Sequence, residues 1–243
     1  PDFGVSADNL AAAVTPRTAA VILNSPNNPT GRLYSEDAII AVARMLEQAS
    51  RSVGRRIMLV VDEPYRDLVY GGKVTPPVAC HYPDTVVVNS FSKSLSLAGE
   101  RIGYVAVSPQ AEQCEDVVSG LVLCNRTLGF VNAPALMQRA VAVLADVTID
   151  ISPYERRRDV LSAGLRRLGL TVCEPDGAFY LFCKAPIDAD VRFVQFLKEH
   201  RILAVPGQGF GFSGWFRLSY AIPDEMVFSS VPRFEAAMQA WNG

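Results

Sequence analysis

The chain has 243 residues, 49% apolar and 20% charged, with 23 Lys and Arg against 25 Asp and Glu for a formal net charge of -2. At roughly 100 to 200 residues per domain, this is one large or two ordinary domains with ample material for a core, which excludes disorder as the main state. The near-neutral balance offers no broad basic surface for nucleic acid, and apolar runs such as 57–61 are far too short for a bilayer span, so neither partner is expected.

The chain opens on Pro1 with no basic segment leading into an apolar one, so no signal peptide is expected and the true start is expected to lie elsewhere. Residues 19–23 read as a buried strand that runs into the turn-rich stretch 24–31. Ser35 is expected to cap a helix. Glu36 and Asp37 suit its first turn, and Ala38, Ile39, Val42, Met45, Leu46 and Ala49 form its apolar stripe. A second buried strand follows at 57–61. Strand, helix, strand is the unit of a parallel sheet, and ligands of such sheets bind beyond the carboxyl ends of the strands, where 24–31 and 62–65 fall.

Residues 71–84, with two glycines and three prolines, are expected to be a surface loop. Strands are expected at 85–89 and 102–107, and helices at about 133–145 and 154–168, with Ser152 and Pro153 as punctuation between them. After Leu168 short strands (170–173, 178–183, 202–205, 215–221) interleave with helices near 191–200 and 224–241, the texture of a smaller α+β domain. The boundary is placed near residue 150.

Three motifs are set aside. Gly209-x-Gly211-x-x-Gly214 has the letters of a dinucleotide fingerprint, but an expected strand follows it where a helix is required. Asn125-Arg126-Thr127 is a glycosylation sequon without any other sign of secretion. Arg156, Arg157 and Arg158 read as a solvated helix face. The cysteines Cys80, Cys114, Cys124, Cys173 and Cys183 are scattered without a C-x-x-C pair, and His81 and His200 are the only histidines. Neither a disulfide framework nor a metal site is expected, and a reducing cytoplasm fits best.

Four strand ends and turns carry chemistry: Asn28, then Asp62 with Tyr65, then Ser90, Ser92 and Lys93, then Arg101. Each alone is ordinary turn or surface chemistry. Together they offer what a lysine-bound aldehyde cofactor such as pyridoxal phosphate needs: an amine in Lys93 and a carboxylate for the pyridinium nitrogen in Asp62. Ser90, Ser92 and Arg101 offer hydroxyls and a guanidinium for a phosphate dianion. Asn28 and Tyr65 are candidates for the ring's phenolic oxygen.

The sequence resembles the class I/II aminotransferases of the aspartate aminotransferase fold type, the fold type I pyridoxal phosphate enzymes. The matching text is SPNNPTG (25–31), VVDEPY (60–65), SFSKSLSLAGERIGY (90–104), DGAFYLF (176–182) and FRLSYA (216–221), in family order across nearly the whole chain. The resemblance implies an α/β fold: residues 1–150 as the C-terminal part of a three-layer α/β/α cofactor-binding domain, and 151–243 as a small α+β domain. It implies that Lys93 is the Schiff-base lysine, Asp62 the partner of the pyridine nitrogen, Asn28 and Tyr65 the partners of the phenolic oxygen, and Ser90, Ser92 and Arg101 the phosphate ligands. Arg217 matches the arginine that grips the substrate α-carboxylate, beside Asn28. The implied reaction is transamination between an amino acid and a 2-oxo acid, with Lys93 moving the proton, in a homodimer with shared active sites.

Members of the family carry further sequence before the segment matching Pro1. The resemblance therefore implies a fragment with an open sheet edge and an uncovered apolar face, weakly active or inactive without a companion segment. Other implied readings are a carbon-sulfur β-lyase built on the same residues, an aminotransferase-like regulatory module, and a folded remnant without function.

Overall fold

The computed structural model describes residues 2–144 and 146–242. A short helix α1 (Ala7–Ala13), capped by Ser6, leads into β1 (Ala20–Asn24). Helix α2 (Glu36–Val53) follows, with the Ser35 hydroxyl accepting from Ala38 N, and it ends on Gly54 at φ 70°, a left-handed position that suits glycine. Its stripe of Ile39, Val42, Ala43 and Leu46 is buried against Leu23, Ile57, Leu59 and Val61. At about 1.5–3 kcal/mol for each large side chain, this contact is what holds α2 on the sheet.

Strand β2 (Met58–Asp62) is followed by β3 (Thr85–Ser90), the one-turn helix α3 (Phe91–Ser94), β4 (Gly103–Val107), α4 (Cys114–Thr127) and α5 (Ala135–Val143). The sheet order is β1-β2-β3-β4, parallel through β3 and antiparallel at β4. Helix α5 stops at Val143, and Ala145, within the expected helix 133–145, lies outside the described residues.

The second half comprises α6 (Ser152–Arg167), β5 (Val172–Cys173), β6 (Tyr180–Lys184), α7 (Asp190–Glu199), β7 (Val205–Pro206), β8 (Trp215–Ser219) and α8 (Asp224–Asn242). Its sheet runs β5-β6-β8-β7 with every pair antiparallel. Leu181, Cys183, Phe216 and Leu218 pack among the helices with Leu161, Phe193 and Phe234. Tyr65, Leu68 and Tyr70, from the turn after β2, sit in this second core as well.

Several expectations are corrected. Ser152 and Pro153 form the first turn of α6, where proline has no hydrogen bond to lose. The stretch 71–84 is not wholly on the surface: Val78 and Tyr82 enter the first core, and the Tyr82 hydroxyl donates to Ile57 O at 2.7 Å. Arg156 and Arg157 both bind Asp224 of α8, and Arg158 lies over the Tyr70 ring at 4.6 Å, so the basic run ties helices together. The strands expected at 170–173 and 202–205 shorten to two-residue edges. Helices α1 and α4 were not anticipated. An apolar surface does stand open: Ile22 is 71% exposed and Phe130 74%, and Val105, Leu121, Val122 and Leu128 line a cavity of about 700 Å³ beside β4.

The loop before β6 stitches the two sheets together. Gly31 O accepts from Asp176 N at 2.8 Å and Gly177 N at 2.9 Å, and Ala178 N donates to Leu68 O at 2.8 Å. The buried Asp176 carboxylate binds Arg32 Nη1 at 2.9 Å, Leu33 N at 3.2 Å and the Lys73 ammonium.

Candidate active site

Parallel register sets Asn24 beside Asp62 at the carboxyl ends of β1 and β2. Asn24 Nδ2 donates to Asp62 Oδ2 at 3.0 Å, and Asn24 Oδ1 accepts from Asn28 N at 2.7 Å. One amide thus steadies the carboxylate and folds the turn that follows β1. Burial pushes the Asp62 carboxyl above its ordinary range, and the bond from Asn24 partly opposes that shift.

Asn28 reaches the other sheet. Its Oδ1 accepts from Arg217 Nη1 at 2.8 Å, while Arg217 Nε is buried without a hydrogen-bond partner among the described residues. Arg217 pairs directly with Phe182 across β6 and β8. Side chains alternate along strands, so Arg217, Phe182 and Tyr180 share the face opposite to Leu181, Cys183, Phe216 and Leu218. The Arg217 guanidinium lies 4.4 Å from the Tyr180 ring centroid and 4.9 Å from that of Phe210. This aromatic clasp fixes the plane of the fork.

Tyr180 leads back to the first half. Its hydroxyl is 2.9 Å from that of Tyr65, and both phenols are buried. Tyr65 packs edge-on against Phe179, whose ring lies 5.4 Å from Lys93 Nζ. Lys93 is half-buried on α3 and forms no ion pair among the described residues. Ser90 caps the same turn, donating to Ser92 Oγ at 2.8 Å and accepting from Ser92 N at 3.2 Å.

The structure therefore links Asp62, Asn28, Arg217, Tyr65 and Lys93 through a chain of direct contacts, with Ser90 and Ser92 in the turn of Lys93. Arg101 stands apart. It occupies a left-handed position at φ 52°, donates to Ala98 O at 3.1 Å, and lines the cavity beside β4. Sequence reasoning missed Asn24, Phe179, Tyr180 and Phe210. Asn24 carried a signal as the polar residue ending an apolar strand; Phe179 and Tyr180 stood only within an expected strand and the matching text 176–182, and Phe210 within the set-aside glycine motif. Among the described residues there is no cluster of His, Cys, Asp and Glu able to hold a metal, and no helix long and apolar enough to cross a membrane.

An α/β sheet with a lysine and a carboxylate beyond its strand ends, facing an antiparallel sheet that presents an arginine, is a fold type I transferase architecture. Residues 1–231 match the family model described as Aminotransferase class I and II, and the chain belongs to that family. It is 34% identical to the "Probable aspartate/prephenate aminotransferase" of Aquifex aeolicus (strain VF5), over 98% of this chain and 61% of that protein. It is 36% identical to the "Aspartate/prephenate aminotransferase" of Thermus thermophilus, over 91% of this chain and 57% of that protein. A solved structure of an amino transferase from Eubacterium rectale superposes with a TM-score of 0.95 at 41% identity, covering 100% of this chain and 61% of that one. The chain thus spans about three fifths of the length of the curated relatives it matches. Enzymes of this family use pyridoxal 5'-phosphate.

Proposed function

We propose that the chain contributes the lysine, the ring-nitrogen carboxylate and the substrate-binding arginine of a pyridoxal phosphate-dependent transamination between an amino acid and a 2-oxo acid. The observation that carries this reading is the bond from Arg217 to Asn28, which brings an anion-binding guanidinium to the strand ends that hold Asp62. When bound, pyridoxal 5'-phosphate supplies an aldehyde for the amine and a ring that accepts the electron pair released from the substrate Cα.

The donor set fits that cofactor. Asp62, whose charge is disfavoured by burial, gains from a cationic N–H partner, and Asn24 keeps its second oxygen aimed. The Ser90 and Ser92 hydroxyls suit a phosphate; Arg101 would serve as the cationic ligand only by leaving its bond to Ala98 O. Asn28 and Tyr65 take the phenolic oxygen. The unpartnered Arg217 Nε, with its neighbouring Nη groups, suits a carboxylate fork. The Lys93 amine would take the proton from the substrate Cα as base and return it as acid to the carbon on the far side of the substrate nitrogen, the cofactor's C4'.

We read residues 1–150 and 151–243 as the two domains of this enzyme, working as a homodimer in the cytoplasm. Five free cysteines support a reducing compartment, and the exposed apolar surface beside β4 supports association.

The test mixes the chain with pyridoxal 5'-phosphate, reduces with borohydride and maps the adduct by mass spectrometry. Labelling of Lys93, lost in Lys93→Ala, is expected; labelling only of other lysines overturns the assignment. Release of oxo acid from an amino acid should depend on an added oxo-acid acceptor. Acceptor-independent release would indicate β-elimination instead.

A further inference from the structure

Resting on that reading, we infer that Tyr180 is a positioning residue that couples the two halves of the site, its hydroxyl setting the hydrogen bond made by Tyr65 and its ring setting the plane of Arg217. The two phenol oxygens are 2.9 Å apart, and neither has another hydrogen-bond partner among the described residues. Each phenol carries one proton. If Tyr65 gives its proton to an outside acceptor, Tyr180 becomes the donor to Tyr65 Oη, and a phenol that accepts a hydrogen bond is a stronger donor itself. The charged groups around the pair are Asp62 at the end of β2, Arg217 on β8 and Lys93 on α3.

The ring has a separate task. From a diagonal position on the neighbouring strand it lies under the Arg217 guanidinium, which is 4.4 Å from its centroid, and the Phe210 ring is 4.9 Å from the same group. Hydroxyl and ring can therefore be removed independently, the first by Tyr180→Phe and both by Tyr180→Leu.

The direction of the effect follows from electrostatics. A hydrogen bond from Tyr65 to the cofactor's phenolic oxygen draws negative charge away from the proton on the lysine–cofactor linkage and lowers its proton affinity. Weakening that bond raises it. The readout is the pH midpoint of the visible absorbance of the lysine-bound cofactor, together with the dissociation constant of succinate, a dicarboxylate without an amino group. Tyr65→Phe should raise the midpoint. Tyr180→Phe should raise it less, by roughly 0.5 to 1 unit, the size expected for one net hydrogen bond, and leave succinate affinity within twofold. In the Tyr65→Phe background Tyr180→Phe should add nothing. Tyr180→Leu should weaken succinate binding about fivefold or more, as expected for a desolvated cation–aromatic contact.

An unchanged midpoint in Tyr180→Phe, or the same shift with and without Tyr65, overturns the inference while leaving the proposed function standing. Unchanged succinate affinity in Tyr180→Leu overturns the role of the ring. Absence of any lysine-bound band in the unsubstituted chain overturns the proposed function and this inference with it.

Discussion

Arg217 Nη1 donates to Asn28 Oδ1 at 2.8 Å across 189 positions of the chain, joining the small antiparallel sheet to the first turn of the large one. The same guanidinium lies over both the Tyr180 and Phe210 rings, and its Nε has no hydrogen-bond partner among the described residues. Arginine thus answers three demands at once: a bond to the turn, a flat face for the rings, and donors left for a ligand.

Lysine cannot meet the second and third demands together. Arg217→Lys should weaken carboxylate binding by about 1.5–3 kcal/mol, roughly 10- to 100-fold in substrate KM or succinate affinity. Unfolding midpoints should move little. Titration of the cofactor-loaded chain with succinate checks this, and an affinity within threefold of the original would remove Arg217 from the carboxylate site.

Asp62 links the site to stability. Burial raises its carboxyl above the unfolded value of 3.8, with the Asn24 bond opposing. The folded state therefore holds this proton more tightly than the unfolded chain, and the site's contribution is complete below about pH 3.8 and declines as pH rises through the raised value. Asp62→Asn abolishes the decline. The cofactor-free variant should gain stability relative to the original between about pH 4 and 7, while losing affinity for pyridoxal 5'-phosphate. Urea unfolding across that range decides it; a deficit that widens with pH contradicts the account.

Gly177 sits where the two halves are stitched together. A Cβ there would lie 2.5 Å from Leu68 O and 2.9 Å from Pro26 Cγ, contacts that backbone and ring cannot relieve without moving the loop. Gly177→Ala should cost about 1–3 kcal/mol. Gly99→Ala, where a Cβ meets nothing within 4 Å, should stay within about 0.5 kcal/mol of the original. Equal unfolding midpoints for the two variants would contradict the close approach.

The thiols should divide by burial. Cys80 and Cys124 are exposed, whereas burial pushes Cys173 up to about 11 and Cys183 higher still. Maleimide near pH 7 should label Cys80 and Cys124 in the folded chain and reach Cys173 and Cys183 only after denaturation. Rapid labelling of Cys183 under native conditions would show that the second core opens readily.

The sequence by itself determined the alternation of strands and helices in the first half, because strands buried on both faces are continuous apolar runs and α2 has a cap, an apolar stripe and a terminal glycine. It also marked Asp62 and Lys93, which singly are ordinary turn and surface residues, because together with Asn28, Tyr65, Ser90, Ser92 and Arg101 they supply what a lysine-bound aldehyde cofactor needs. Helix α1 is only seven residues long, and α4, although Val118, Leu121 and Val122 recur at helical spacing, has no capping side chain to mark its start. Antiparallel β4 was equally silent, because an apolar run does not encode its direction. Only the tertiary structure decided the roles of Asn24, Tyr180 and Phe210. Their contacts depend on strand register and on how the loop at Asp176 seats one sheet against the other. A shift of one residue between β6 and β8 would put Tyr180 and Arg217 on opposite faces of the sheet. Sequence carries the identities of these groups; the 4.4 and 4.9 Å approaches of the Tyr180 and Phe210 rings to Arg217, and the 2.8 Å bond from Arg217 to Asn28, arise only when distant segments pack together.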